Sequence, residues 1–351
     1  MSTPSRIDFG VGILTVRVGV LSAIARSRPL AAGCTFLVLA AAVSLLGLCL
    51  GDLMLGPDRV LSALLGTETG TATTVVRDWR LPRVLAALLF GAALGAAGAV
   101  FQSLTRNALA SPDVIGLTSG AYAGGIGAII LFGGGFVATA SGSLLGGLAT
   151  TAAVYLLAWR NGVHGLRLIV VGIGMSAMLT ALSTYLLLRA RREVAMNAAV
   201  WGAGSLSDVT WATLVPAAVV IGVVAALLCA LATPLRMLEL GDDAARSLGV
   251  RPQAASAGLI VCAVALTASV VAVAGPIAFI ALAAPQLARR IADTAGVGLA
   301  SAAAMGALLL SVSDVVAQHA LPVPLPVGVV TVVVGGAYLC GILIRQTRRR
   351  A

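Results

Sequence analysis

WRLPRVLAALLFGAALGAAGAVFQSLTRNALASPDVIGLTSGA, from Trp79 to Ala121, holds the pattern that decides the fold. Arginines frame its start, an unbroken apolar run follows, and a polar turn leads into a second apolar run. Each run is long enough to cross ~30 Å of hydrocarbon as a helix, which takes roughly 20 residues. Backbone groups in lipid find no water, so a spanning segment pairs its own as a helix. Gly91, Gly95 and Gly98 fall on one face of the first run, a seam along which another backbone can approach.

The same pattern fills most of the chain. Of 351 residues 59% are hydrophobic and 10% charged, and the mean hydropathy is +1.04. So much apolar surface has no place inside one soluble core. The apolar runs predict an all-α polytopic membrane protein of about ten transmembrane helices. The spans are expected near 30–50, 83–104, 113–133, 136–158, 166–188, 211–232, 253–274, 276–291, 296–318 and 326–344. The eighth is short and holds Pro276 and Pro285, which predicts a broken helix. Residues 1–29 read as an N-terminal tail lacking the compact layout of a signal peptide, 30–346 as the membrane domain, and 347–351 as a C-terminal tail.

An even number of spans puts both termini on one side. Seven arginines, Arg59, Arg77, Arg80, Arg83, Arg189, Arg191 and Arg192, fall in the outer regions of this layout, and the other sixteen of 23 fall in the inner ones. That bias predicts cytoplasmic termini.

Composition also excludes function classes. All 23 basic residues are arginine, and a phosphate-binding P-loop needs a lysine after its glycines, so the chain carries no ATPase site of that kind. The net charge of +10 sits at span ends, where lipid headgroups explain it, and forms no clustered face for nucleic acid. Cys34, Cys49, Cys229, Cys262 and Cys340 all lie in predicted spans, with no CxxC pair. His164 and His319 are the only histidines. No catalytic constellation, metal site or cofactor site is expected.

Four features are candidates for function. Arg77, Arg80 and Arg83 cluster on the side that usually avoids positive charge, as do Arg189, Arg191 and Arg192. Spacing alone leaves two readings for them: headgroup contacts, or docking of a partner with exposed carboxylates. The segment PLRMLELGDDAARSLGVRP, residues 234–252, reads as a short inner helix with Asp242 and Asp243 in its first turn, an Asp242 to Arg246 i,i+4 pair and Gly249 as its stop. It is either a linker lying on the membrane or a knob for a motor subunit. Ser111, Pro112 and Asp113 read as an N-cap, first helical residue and acidic first turn. Gln286 and Asp314 are polar residues at membrane depth, candidates for a pathway or gating role, although Asp314 is also placed to pair with a neighbouring arginine.

At these residues the chain resembles the FecCD-type permease family, the membrane subunits of bacterial ATP-driven importers for ferric siderophores, haem and cobalamin. The resemblance rests on RLPRVLAALLFGAALGAAGAVFQSLTRNALASPDVIG from Arg80, LGDDAARSLGV from Leu240, AGPIAFIALAAPQLARR from Ala274 and LPVGVVTVVVGG from Leu325. It implies a ten-span permease of the cobalamin/siderophore type in the bacterial inner membrane, working by alternating access with two ATP-binding cassette subunits and an external solute-binding protein. It implies that Arg80 and Arg83 dock the binding protein, and that Gly241, Asp242, Asp243, Ala244, Arg246 and Gly249 form the ATPase coupling segment. Where many members carry histidine, this chain has Gln286; Gln318 and His319 stand where an arginine is common, so a third docking arginine is not expected. The APQ form and the stretch from Asp314 resemble one subunit of the ferric-enterobactin type, which implies a heterodimer with a second FecCD-type chain. The alternatives are a cobalamin or haem cargo, or an ion-coupled secondary transporter.

Overall fold

The computed structural model describes residues 13–18, 21–67, 70–113, 116–133, 135–158, 165–293 and 296–350. Residues 1–12 and 19–20 of the expected tail, and both Arg160 and His164, lie outside the described residues. Near the N-terminus β1 (Ile13–Val18) pairs antiparallel with β2 (Leu21–Arg26), with Ile13 opposite Arg26. The other described elements are helices. In order they are α1 (Ser27–Cys49), α2 (Pro57–Leu65), α3 (Thr71–Thr74), a π-helical segment (Val75–Arg80) and α4 (Leu81–Thr105). Then come α5 (Leu117–Phe132), α6 (Phe136–Ala158), α7 (Gly165–Arg189), α8 (Arg192–Gly202) and α9 (Trp211–Ala230). Last are α10 (Ala232–Glu239), α11 (Asp242–Ser247), α12 (Pro252–Ala274), α13 (Ile280–Ala292), α14 (Leu299–His319) and α15 (Val327–Arg350).

Every stretch expected to span carries a helix. Among the described residues, seven helices are long and apolar enough to cross a membrane: α1, the continuous run from α3 through α4, and α6, α7, α9, α12 and α14. α5 is apolar but has 16 residues, α13 has 13 residues, and α15 runs for 24 residues, beginning with the apolar stretch Val327–Tyr338. The shortfall has a local cause. α13 follows the non-helical stretch Gly275–Phe279, whose ends have φ of 70° and 68°. α5 starts directly after Gly116, whose φ is 87°. Non-helical backbone in such a bundle is tolerated where protein surrounds it, and the Gly116 backbone lies against Gly172 and Ser176 of α7.

α4 is the centre of the packing. Phe90, Leu94 and Phe101 on it are among the largest fully buried side chains. The expected glycine seam is present: a Cβ at Gly91 or Gly95 would overlap the backbone of Gly306 and Ala302 on α14, and one at Gly98 would overlap the carbonyl of Ala281 on α13. Pro285 explains that last contact. It lies inside α13 and has no N–H for the carbonyl four residues earlier, which is Ala281, and this is the carbonyl that faces Gly98. The break expected from the two prolines thus lies before α13, at Gly275–Phe279, while Pro285 is kept within the helix. Side chains such as Leu188 of α7 and Val219 of α9 point outward, as suits lipid.

Gly98 and Gly127 separate backbone contact from helix propensity, because nothing lies within 4 Å of a Cβ at Gly127. Gly98→Val is expected to cost about 3 kcal/mol or more by overpacking, and Gly127→Val less than about 1 kcal/mol. Thermal unfolding of the detergent-purified protein checks the difference.

Candidate functional site at the two ends of α4

Arg77 and Arg80 lie in the π-helical segment and Arg83 in the first turn of α4. Each reaches a different neighbour. Arg77 Nη2 donates to the Leu64 carbonyl at 2.6 Å, and Arg80 donates to the carbonyls of Leu48 at 2.8 Å and Leu53 at 2.7 Å. Leu64 and Leu48 belong to the last turns of α2 and α1, where carbonyls lack helical donors and a cation complements the dipole. Glycine makes room for both guanidinium groups. A Cβ at Gly51, where φ is 139°, would run into Arg80, and one at Gly66, where φ is 80°, would lie 3.1 Å from Arg77 Nη2.

Arg83 makes the strongest link at this end. Its Nη2 donates to Asp314 Oδ1 at 2.8 Å, and its Nε donates to both carboxylate oxygens at 3.1 and 3.2 Å. Nη1 donates to Ser207 Oγ at 3.1 Å, and Gln318 Nε2 donates to Asp314 Oδ2 at 2.7 Å. The two side chains are 16% and 3% exposed, so this pair is largely dry. The cluster joins α4 to α14 and to the loop before α9. Asp314 therefore has the arginine partner that its position suggested. The second arginine group is looser: Arg189 lies over the Tyr185 ring at 5.5 Å, and Arg191 and Arg192 are exposed.

In the last turn of α4, Gln102 meets Gln286 and ties α4 to α13. Gln286 Nε2 donates to Gln102 Oε1 at 2.6 Å and to the Ala108 carbonyl at 3.2 Å, and Gln102 Nε2 donates to the Leu282 carbonyl at 3.0 Å. Gln102 was not singled out in the sequence, though a glutamine inside an otherwise apolar helix was a readable sign of a buried partner.

At the same end, α4 stops at Arg106, a non-glycine residue with φ 50° and ψ 31°. Arg106 Nη2 donates to the Leu238 carbonyl at 3.1 Å and to Asp242 Oδ1 at 3.3 Å. Ser103, nearly one turn earlier, donates to Glu239 Oε1 at 2.6 Å. The segment 234–252 holds two short helices, where one was expected. Gly249, with φ 83°, closes α11: its N–H bonds the Arg246 carbonyl at 3.0 Å and the Val250 N–H bonds Ala245 at 3.0 Å, the paired pattern of a Schellman stop.

Two local expectations are corrected. The Asp242 to Arg246 pair is not made: Arg246 Nη1 donates to Asp243 at 2.6 Å, and Asp242 faces Arg106. A nearer acceptor at i−3 and a tertiary arginine together outcompete the i,i+4 geometry. Ser111, Pro112 and Asp113 do not open a helix, since α5 starts at Leu117 after Gly116. Asp113 accepts a hydrogen bond from the Thr118 hydroxyl, and its carbonyl accepts the Gly116 N–H at 3.1 Å. Ser111 is buried, so packing against the bundle overrides the local helix signal.

Removing one member of a buried ion pair costs about 3–5 kcal/mol, whereas replacing both with apolar residues is near neutral. Asp314→Ala is therefore expected to lower the thermal midpoint strongly, and the double variant Arg83→Leu with Asp314→Leu to regain most of the loss.

Comparison with known proteins places this geometry. The FecCD transport family model matches residues 37–345. The chain is 48% identical to the ferric enterobactin transport system permease protein FepG of Escherichia coli (strain K12), over 92% of this chain and 99% of that protein. It is 36% identical to the achromobactin transport system permease protein CbrC of Dickeya dadantii (strain 3937), over 88% and 89% of the two chains. It is 33% identical to the hemin transport system permease protein HmuU of Yersinia pestis, over 81% and 88%. A solved structure described as an inward-facing conformation of a metal-chelate type ABC transporter superposes with a TM-score of 0.78 at 28% identity, covering 90% of this chain and 99% of the other. The chain belongs to the FecCD transport family.

Proposed function

We propose that this chain is the permease subunit of an ATP-driven importer that carries a ferric siderophore across the bacterial inner membrane by alternating access. The observation that carries the reading is the near-complete, 48% identical match to a ferric enterobactin permease. The geometry supports it: one long helix, α4, has an arginine cluster at one end and a short polar helix pair at the other. α5, α13 and α15 join the seven long helices to make ten crossings with both termini in the cytoplasm. The Arg83 end then faces outward and the Arg106 end inward. Haem is the second reading, favoured by the hemin permease among the relatives; cobalamin is the third.

The chain works with a second FecCD-type permease as a heterodimer, with two ATP-binding cassette subunits at Gly241 to Gly249, and with an external solute-binding protein at Arg80 and Arg83. ATP hydrolysis belongs to the cassette subunits, because this chain has no P-loop lysine. Docking at Arg83 is an exchange, since its guanidinium is already held by Asp314; a carboxylate on the binding protein competes with that internal acceptor. Nucleotide binding and docking bias a bundle with two packings between outward and inward states. An ion-coupled carrier needs a titratable carboxylate available at depth, and Asp314, the candidate singled out in the sequence, is neutralised by Arg83.

Two measurements test the reading. In the reconstituted four-subunit complex, binding protein loaded with ferric enterobactin is expected to stimulate ATP hydrolysis; stimulation by cobalamin or haem alone would move the cargo to that ligand. Arg80→Glu with Arg83→Glu is expected to weaken docking and flatten its salt dependence. Asp314→Ala, which breaks the same internal pair without reversing charge, is expected to retain docking. Equal docking by all three proteins would return the arginines to a purely internal role.

A further inference from the structure

The coupling segment is joined to the rest of the bundle in two ways, covalently and laterally. Covalently, α11 is flanked by Gly241 and Gly249, with φ of 118° and 83° and open space where a Cβ would stand. Such glycines allow backbone rotation on both sides of α11. Laterally, polar contacts from the last turn of α4 hold it. Arg106 bonds both the Leu238 carbonyl, at the end of α10, and Asp242, at the start of α11. Ser103 holds Glu239 between them. Asp243, the other acid of α11, is bound to its own Arg246, so Asp242 is the carboxylate that faces α4.

α4 is in turn fastened to two neighbouring helices. Backbone contact at Gly91 and Gly95 locks it to α14, and Gly98 with the Gln102 and Gln286 ladder locks it to α13. Arg83 and Asp314 fasten α4 to α14 again at the far end. These three helices form a block whose nearest handle on the coupling side is Arg106. The backbone of Arg106 is informative as well. A left-handed conformation is uncommon for arginine and easier for asparagine or aspartate, and here it carries the guanidinium off the helix end toward Leu238 and Asp242.

We propose that Arg106 is a positioning residue that transmits movement of the coupling segment to the α4, α13 and α14 block. This rests on the reading of Gly241 to Gly249 as the ATPase contact. Asp242, displaced by the cassette subunits, pulls α4 through Arg106, and the block follows as a unit to the outer end. Ser103 and Glu239 keep α10 in register with the same turn.

The test uses the full complex in proteoliposomes, with ferric enterobactin on its binding protein as the probe, and reads uptake per ATP hydrolysed. Arg106→Asn keeps a residue that tolerates the backbone but is too short to reach Asp242. It is expected to lower the ratio about tenfold, within the range of typical coupling energies, while the cassette subunits co-purify and hydrolyse ATP as before. Arg106→Asp combined with Asp242→Arg is expected to restore the ratio to within about threefold. A role as a helix cap alone predicts no loss in Arg106→Asn, and an unchanged ratio there overturns the proposal. A loss that comes with failed co-purification of the cassette subunits also overturns it, as does a defect that the charge exchange leaves unrepaired. Uptake by the unaltered complex that ignores ATP would instead sink the importer reading, and this proposal with it.

Discussion

Backbone polar groups inside a hydrocarbon layer must find partners within the protein, and α4 is where this constraint is met most tightly. Three glycines on one face bring its backbone against α14 and α13 with no side chain between. The proline of α13 leaves one carbonyl without a helical donor, and that carbonyl is the one pressed on Gly98. Close packing without a hydrophobic driving force relies on such contacts. The polar side chains of α4 then have defined positions to work from: Arg83 at one end, and Gln102, Ser103 and Arg106 together at the other.

The arginines at the Arg83 end illustrate how charge is managed there. A guanidinium offers five donors in a planar fork, and Arg80 and Arg83 each spend theirs on more than one acceptor. Two of the three arginines complete the ends of distant helices, and the third neutralises a buried carboxylate. Positive charge at the Arg83 end is thus part of the fold before any partner arrives. A partner that uses the same groups must compete with acceptors already in place, which couples its arrival to the packing of α14.

Much of this architecture was readable from the chain. Apolar runs of span length located each long helix, because the bilayer sets a minimum length that few other structures demand. The glycine face of α4 and the Gly249 stop were also legible, since both are short-range patterns with a direct steric cause. Other features were hidden by distance. The acceptors of Arg77 and Arg80 are backbone carbonyls, which no residue type announces. Gln286 meets Gln102 across 184 positions, and Arg106 meets Asp242 across 136. Where local and tertiary signals competed, as at Ser111 and at Asp242, the tertiary contact prevailed.

In this account the chain is a gate with no fuel of its own, moved from the cytoplasmic side by a coupling segment that grips α4. The most direct check is flux through vesicles that hold the permease pair alone, with an ion gradient imposed and no nucleotide, binding protein or cassette subunit. The account predicts no accumulation of ferric enterobactin under those conditions, with accumulation appearing once cassette subunits, loaded binding protein and ATP are supplied. Gradient-driven accumulation by the permease pair alone would contradict it.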